Sequence, residues 1–401
     1  MKDAFLPYGR HVIGDDDIAA VTKVLRGDWL TTGPTVEAFE AAFAARVGAR
    51  FAVACSSGTA ALHLAALAIG LGPGERAVVP SITFLATANA ARYVGGEVVF
   101  ADVDAETGLL GERQMEAALA NAGGPVRAVF PVHLAGQAVD MPALARLAER
   151  HGFTVIEDAC HALGSTYREG DETIAVGSCR HSAMAIFSFH PVKTIAMGEG
   201  GAVTTNDPVL HERLSRLRNH GMTRDPRQFR NSELAFDADG EANPWYYEMP
   251  EIGFNYRASD IHCALALSQL AKLDGFIARR QALADCYDRG LAALAPGIQP
   301  PRRAPGCRPA WHLYAARIDF AGLKLPREAL MRQLRAAGIG TQVHYIPVHL
   351  QPYYQERSGP LQMPGSMAYY RRTLSLPLFP SMTENDVVRV IEALARCLPV
   401  R

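Results

Sequence analysis

The amino-acid sequence predicts an α/β fold: a mostly parallel central sheet covered by helices on both faces, followed by a smaller C-terminal α+β domain. Two observations carry that prediction. Through the first two thirds of the 401-residue chain, short apolar runs alternate with helical patterns, and strands separated by whole helices pair in parallel and are buried on both faces. Beyond residue 258 the pattern changes to one long helical stretch and then a short alternation of strand and helix. A chain of this length holds roughly two or three domains. The boundary is placed so that 1–257 form a large domain and 258–401 a linker helix with a small domain.

In order along the chain, 18–26 and 36–47 carry apolar residues at helical spacing. Residues 51–54 read as the first strand, and Ser56-Ser57-Gly58-Thr59 opens an alanine-rich helix. Further strands are expected at 76–79, 97–100, 127–132, 153–156, 184–189 and 201–205. The stretch 223–248, TRDPRQFRNSELAFDADGEANPWYYE, is polar, contains proline and has no period, so a long loop is expected. Loops of that length usually serve a site or an interface. Residues 258–294 predict a nearly continuous helix. After it come a strand at 311–320, a helix at 326–337 closed by Gly338, a strand at 341–346 and a last helix whose start, Thr383-Glu384-Asn385-Asp386, fits a capping box.

Composition narrows the function. Hydrophobic residues make up 49%, charged residues 20%, and the formal net charge is -1, so bulk charge gives no reason to expect a nucleic-acid or membrane-surface partner. The first 17 residues are too polar for a signal peptide, and the longest apolar stretch, 60–71, is interrupted by His63 and too short to span a bilayer. A cytoplasmic, soluble protein is expected. The seven cysteines are scattered and include no Cys-x-x-Cys pair, which argues against disulfides and a zinc ribbon. Asp158, Cys160 and His161 stand close together, but no second cluster offers complementary metal ligands.

One lysine stands out. Only five of the 40 basic residues are lysines, and Lys2, Lys23, Lys272 and Lys324 read as solvated charges at the terminus, on helical patterns or after a turn. Lys193 instead follows the strand-like FSFHPV and precedes Gly198-Glu199-Gly200-Gly201. A desolvated lysine has a lowered pKa and can act as a nucleophile toward an aldehyde, whereas the plainer alternative is an ion pair at a strand end. Two other segments add to it. Ser56–Thr59 places small residues, free N–H groups and hydroxyls at a helix N-terminus, which suits a phosphate but is neither a dinucleotide fingerprint nor a Walker loop. FTVIEDACHALGS ends an apolar strand in Glu157-Asp158, where a carboxylate could face a protonated ring nitrogen or cap a helix. A phosphate cradle, an acid and an isolated lysine are together what pyridoxal 5'-phosphate requires.

The ordered motifs SSGTAAL, PSITFLATANA, VIEDACHALGS, FSFHPVKTIAMGEGG and EIGFNYRASDIHCALALSQL resemble the DegT family, fold-type I pyridoxal-phosphate enzymes that aminate nucleotide-linked keto sugars. The likeness runs from LPYGRHVI to LSLPLFP. WLTTGP, TRDP, WYYE, FNYR and HYIPVHLQPYY bring it nearest to the branch acting on UDP-4-keto-6-deoxy-N-acetyl-β-L-altrosamine in pseudaminic acid synthesis. The resemblance implies that Lys193 is the Schiff-base lysine and Asp158 the partner of the pyridine nitrogen. It further implies that Phe84 stacks on the cofactor, that His161 lies near its ring, and that Gly58, Thr59 and Ser188 hold its phosphate. Asn255 matches a phosphate contact donated by a neighbouring subunit, so a homodimer with shared sites is implied. Tyr8, Thr31, His344 and Tyr345 match the sugar-nucleotide pocket, and L-glutamate is the implied amino donor. Relatives with histidine in place of the lysine are dehydratases; the lysine here implies transamination. The competing readings are a same-fold lyase, a ligand-binding regulator and a dinucleotide-dependent dehydrogenase, the last lacking its glycine fingerprint.

Overall fold

A computed structural model describes residues 4–398; Lys2 lies outside them. Thirteen strands occur among these residues. The first nine are β1 (Phe51–Cys55), β2 (Arg76–Pro80), β3 (Glu97–Ala101), β4 (Val126–Val129), β5 (Thr154–Asp158), β6 (Thr166–Glu169), β7 (Glu172–Ala175), β8 (Met184–Ser188) and β9 (Gly201–Thr205). Seven of them form the central sheet, in the order β1-β9-β8-β5-β4-β2-β3. All neighbours are parallel except β9, which is antiparallel to β1 and β8. A parallel return needs a long crossover. The segment from Phe189 to Gly200 forms no helix, so the chain doubles back and places Lys193 beyond the carboxyl end of β8.

Adjacent strand residues split between two cores, as a period of two demands. Val53, Val79, Ile156 and Ile186 join Leu62 and Leu64 on one face. Ala54, Val78, Val155 and Phe187 join Phe39 and Phe43 on the other. There Phe39, Phe43, Phe187 and Phe189 pack with ring centroids 5.0–5.6 Å apart, mostly edge to face. Each such buried side chain contributes about 1.5–3 kcal/mol, and this cluster fixes the end of β8, where Ser188 and the lysine segment begin.

The remaining strands are β10 (Ile298–Gln299), β11 (Cys307–Arg308), β12 (Tyr314–Ile318) and β13 (Thr373–Leu376). β10, β12 and β13 form an antiparallel sheet against helices Leu273–Leu291, Arg327–Ala336 and Glu384–Cys397, with a core of its own. The capping box at Thr383 is present: its hydroxyl accepts from Asp386 N–H, and the Asp386 carboxylate accepts from Thr383 N–H.

Several expectations are corrected. The helix over 258–294 is two helices, Asp260–Ala271 and Leu273–Leu291, because the first packs on helices Asp15–Leu25 and Pro34–Val47 while the second turns to the last helix. At the joint, Lys272 is not a solvated charge; its ammonium lies 2.6 Å from buried Asp17 and 2.9 Å from Asp16. Residues 341–346 are not a strand: only Gln342 bridges Ser375, since the polar–apolar alternation there serves a cavity wall instead of a sheet. The strand expected at 311–320 begins at Tyr314, and that at 127–132 ends at Val129. The hairpin β6–β7, extended by β11, has no counterpart in the sequence reading, nor do helices Pro352–Ser358 and Pro364–Arg372. The long segment 223–248 is irregular apart from single turns at Pro226–Gln228 and Ser232–Ala235. No helix among the described residues is long and apolar enough to cross a membrane.

Candidate active site

A cavity of about 510 Å³ opens at the carboxyl ends of the central strands. In open α/β sheets this is where ligands sit. Lys193 lines it, half-buried. Among the described residues its ammonium has no hydrogen bond or ion pair, so the strand-end ion pair of the plainer reading is absent. Burial lowers its pKa from the usual lysine value, even though Cys160 and Asp158 act in the opposite direction. The result is an amine held toward its reactive free-base form.

Asp158, the last residue of β5, also lines the cavity and is only 6% exposed. Its carboxylate accepts from the Thr87 hydroxyl at 2.6 Å and the Cys160 N–H at 3.1 Å. Thr83 and Thr87 hydroxyls lie 2.8 Å apart; because Thr87 spends its hydrogen on Asp158, Thr83 donates to Thr87. No cation lies within ion-pair distance of Asp158 among the described residues. A buried carboxylate held in place by donors but lacking a counter-charge suits a protonated ring nitrogen.

The third element is the start of helix Gly58–Ala68. Ser57 caps it by accepting from Ala60 N–H. The N–H groups of Gly58 and Thr59 have no acceptor among the described residues, as expected for a first helical turn. Ser188 faces them from the end of β8. A Cβ on Gly58 would come 2.8 Å from Ser188 Cβ, and one on Gly201 would come 2.4 Å from the Ser57 carbonyl. Glycine at 58 therefore keeps open a cradle of N–H groups and a hydroxyl, and glycine at 201 lets β9 pass behind it. Phosphate cradle, uncompensated carboxylate and unpaired lysine bound one space, so the residues present fit pyridoxal phosphate.

The far wall is aromatic. Phe84 is 55% exposed at the mouth, with its ring 5.9 Å from that of Tyr345. Tyr8, His344 and Tyr345 line the cavity, with Tyr8 and His344 rings 5.5 Å apart. His344 bonds Ser375, and burial together with the Lys193 charge pushes its pKa down to about 3. Burial and Lys193 likewise hold His161 well below the usual imidazole range. Both His161 and His344 are thereby held toward the neutral imidazole.

A model of the DegT/DnrJ/EryC1/StrS aminotransferase family matches residues 11–395. The chain belongs to this family. It is 40% identical over 395 residues to the spore coat polysaccharide biosynthesis protein SpsC of Bacillus subtilis, covering 98% of this chain and 97% of that one. Among solved structures it is similar to Helicobacter pylori PseC, an aminotransferase involved in the biosynthesis of pseudoaminic acid, with a TM-score of 0.87 and 26% identity over 98% and 99% of the two chains. It is also similar to S. venezuelae DesV, with a TM-score of 0.84 and 34% identity over 100% of each. Spr1654 of Streptococcus pneumoniae matches in both its PLP and PMP forms, each with a TM-score of 0.85 and 26% identity. The protein is a sugar aminotransferase of the fold-type I, pyridoxal-phosphate-dependent kind.

Of the residues singled out in the sequence, Lys193, Asp158, Gly58, Thr59, Ser188, Phe84, His161, Tyr8, His344 and Tyr345 gather around this cavity. Thr31 and Asn255 do not line it. Thr31 is exposed and bridges Ser259, while Asn255 is exposed and bridges Asn219. Sequence reasoning missed Thr87 and His312. Thr87 stands one helical turn after Thr83, a spacing that could have marked a polar ladder beneath Asp158; His312 carries no local signal.

Proposed function

We propose that the enzyme moves the amino group of L-glutamate to C4 of UDP-4-keto-6-deoxy-N-acetyl-β-L-altrosamine, within pseudaminic acid synthesis. The observation that supports it most is the near full-length likeness to the pseudoaminic acid aminotransferase, together with a cavity in which Lys193 and Asp158 face the same space. Bound pyridoxal phosphate supplies an aldehyde that exchanges amino groups and a ring that accepts electrons.

The chain's residues do the rest. Gly58, Thr59 and Ser188 hold the phosphate; Asp158, oriented by Thr87, keeps the ring nitrogen protonated. Lys193, with its lowered pKa, would be the base that takes up and carries the proton of the donor's α-carbon. Phe84 and His161 would hold the ring, and Tyr8, His344 and Tyr345 would receive the sugar. Asn255, exposed on one protomer, would complete the site of a partner in a homodimer. Seven free cysteines fit a reducing cytoplasm.

A second sugar is also favoured by an observation. The higher identity to a spore coat polysaccharide protein supports a different UDP-, GDP- or dTDP-linked 4-keto sugar as the acceptor. Incubating the holoenzyme with glutamate and a panel of nucleotide 4-keto sugars separates these. The altrosamine derivative is expected to give the fastest gain of nitrogen in the product. Faster amination of another sugar would replace it, and a product without new nitrogen would point to the lyase.

A further inference from the structure

Two buried histidines of the cavity wall belong to a linked assembly. Ala135 ties them together: its N–H donates to His161 Nδ1 at 3.3 Å, and its carbonyl accepts from the His312 N–H at 3.1 Å. A neutral imidazole that accepts at Nδ1 carries its hydrogen on Nε2. His161 Nε2–H therefore donates to Tyr345 Oη, 3.0 Å away. The phenol's own hydrogen has no acceptor among the described residues and is left for the cavity that Tyr345 lines.

The His312 ring packs on His161 with centroids 4.3 Å apart. Its Nδ1 is sealed from solvent and unpaired. A proton there would be a buried N–H with no acceptor, so this ring stays neutral and does not disturb the tautomer of its neighbour. Imidazole with an idle nitrogen is a poor choice for plain packing, and native structures carry few such groups.

The backbone around the pair is strained. Ala135 (φ 60) and Trp311 (φ 43) are non-glycine residues in the left-handed region. Such conformations persist where surrounding structure over-determines them, and they gather at functional sites. Here the surroundings are supplied by Arg280. It is buried, has no carboxylate partner among the described residues, and donates through Nη1 to the carbonyls of Trp311 and His312, each at 3.2 Å, and of Leu378 at 3.0 Å.

We propose that His312 is a positioning residue of the active site: by packing on His161 it fixes the imidazole that orients Tyr345, so that the Tyr345 hydroxyl is presented as a hydrogen-bond donor to an oxygen of the substrate. This rests on the reading of Tyr345 as part of the substrate pocket.

The test is a double-mutant cycle on the holoenzyme, using whichever nucleotide keto sugar the wild type aminates. His312→Ala and Tyr345→Phe are each expected to lower kcat/KM about tenfold, the worth of one hydrogen bond. The double variant should fall no further than Tyr345→Phe alone, and His312→Phe, which restores a ring, should stay within about threefold of wild type. Independent losses that multiply to about a hundredfold would overturn the proposal, as would a His312→Phe loss equal to that of alanine. Nitrogen-15 NMR of histidine-labelled wild-type enzyme gives a second readout that needs no substrate and no variant. His161 should carry its hydrogen on Nε2; a hydrogen on Nδ1 would overturn the proposal even if no sugar in the panel is turned over.

Discussion

Thr87→Val isolates the support of the acid from the acid itself. Valine matches threonine in shape, so the change removes one hydroxyl from a fully buried position and leaves the packing alone. The Asp158 carboxylate then loses its 2.6 Å donor, keeping the longer bond from Cys160 N–H. A hydrogen bond to a charged acceptor contributes about 1.5–3 kcal/mol. If that stabilisation serves the ionised, correctly turned carboxylate, kcat should fall about 10- to 150-fold at neutral pH. Steady-state kinetics of amino transfer, beside Thr87→Ser as control, would measure it. Serine keeps the hydroxyl and should stay within about threefold of wild type. A valine variant with undiminished kcat would refute the reasoning, because Asp158 would then need no partner from the helix that follows β2.

Three further outcomes follow from the same geometry. Burial lowers the Lys193 pKa, so in the cofactor-free protein the unfolded chain holds a proton that the folded chain tends to release; stability must rise with pH between the folded and the ordinary lysine values. Apo Lys193→Met should therefore melt above apo wild type at neutral pH, with the gap closing as pH rises toward the ordinary lysine value, and scanning calorimetry across pH checks this. Gly58→Ala places a Cβ 2.8 Å from Ser188 Cβ, so the cradle must open and pyridoxal phosphate affinity, read by fluorescence titration, should weaken about tenfold or more. Lys193→Ala and Asn255→Ala should each abolish activity alone, while their mixture recovers about a quarter of it, since half the dimers are mixed and each mixed dimer has one intact site; a mixture as inactive as its parents would remove Asn255 from the partner's site.

Much of the site was legible because its chemistry follows the local chain. Lysine in a glycine-rich turn, a carboxylate at a strand end and small residues before a helix are each written within a few consecutive positions, and the parallel sheet brings strand ends together without further instruction. The antiparallel return of β9 explains the lysine's place in a way composition could not, since direction is set by a connection too short to cross over. Residues 341–346 misled for a physical reason: alternation of Gln342, Val343, His344 and Tyr345 is the pattern of a strand, but here all four line the cavity and only Gln342 bridges a neighbouring backbone. The His161–Ala135–His312–Arg280 assembly was invisible because its members are separated by up to 177 positions and are joined by backbone groups that any residue possesses. The turn at Lys272 was hidden too, since nothing local in a helical run says which neighbour each half will meet.

The most direct measurement is borohydride reduction of the holoenzyme followed by peptide mapping. The account predicts a single pyridoxyl group fixed on Lys193, none on Lys23, Lys272 or Lys324, and no repeated turnover by Lys193→Ala. A label on another lysine, or sustained amino transfer by the alanine variant, would contradict it.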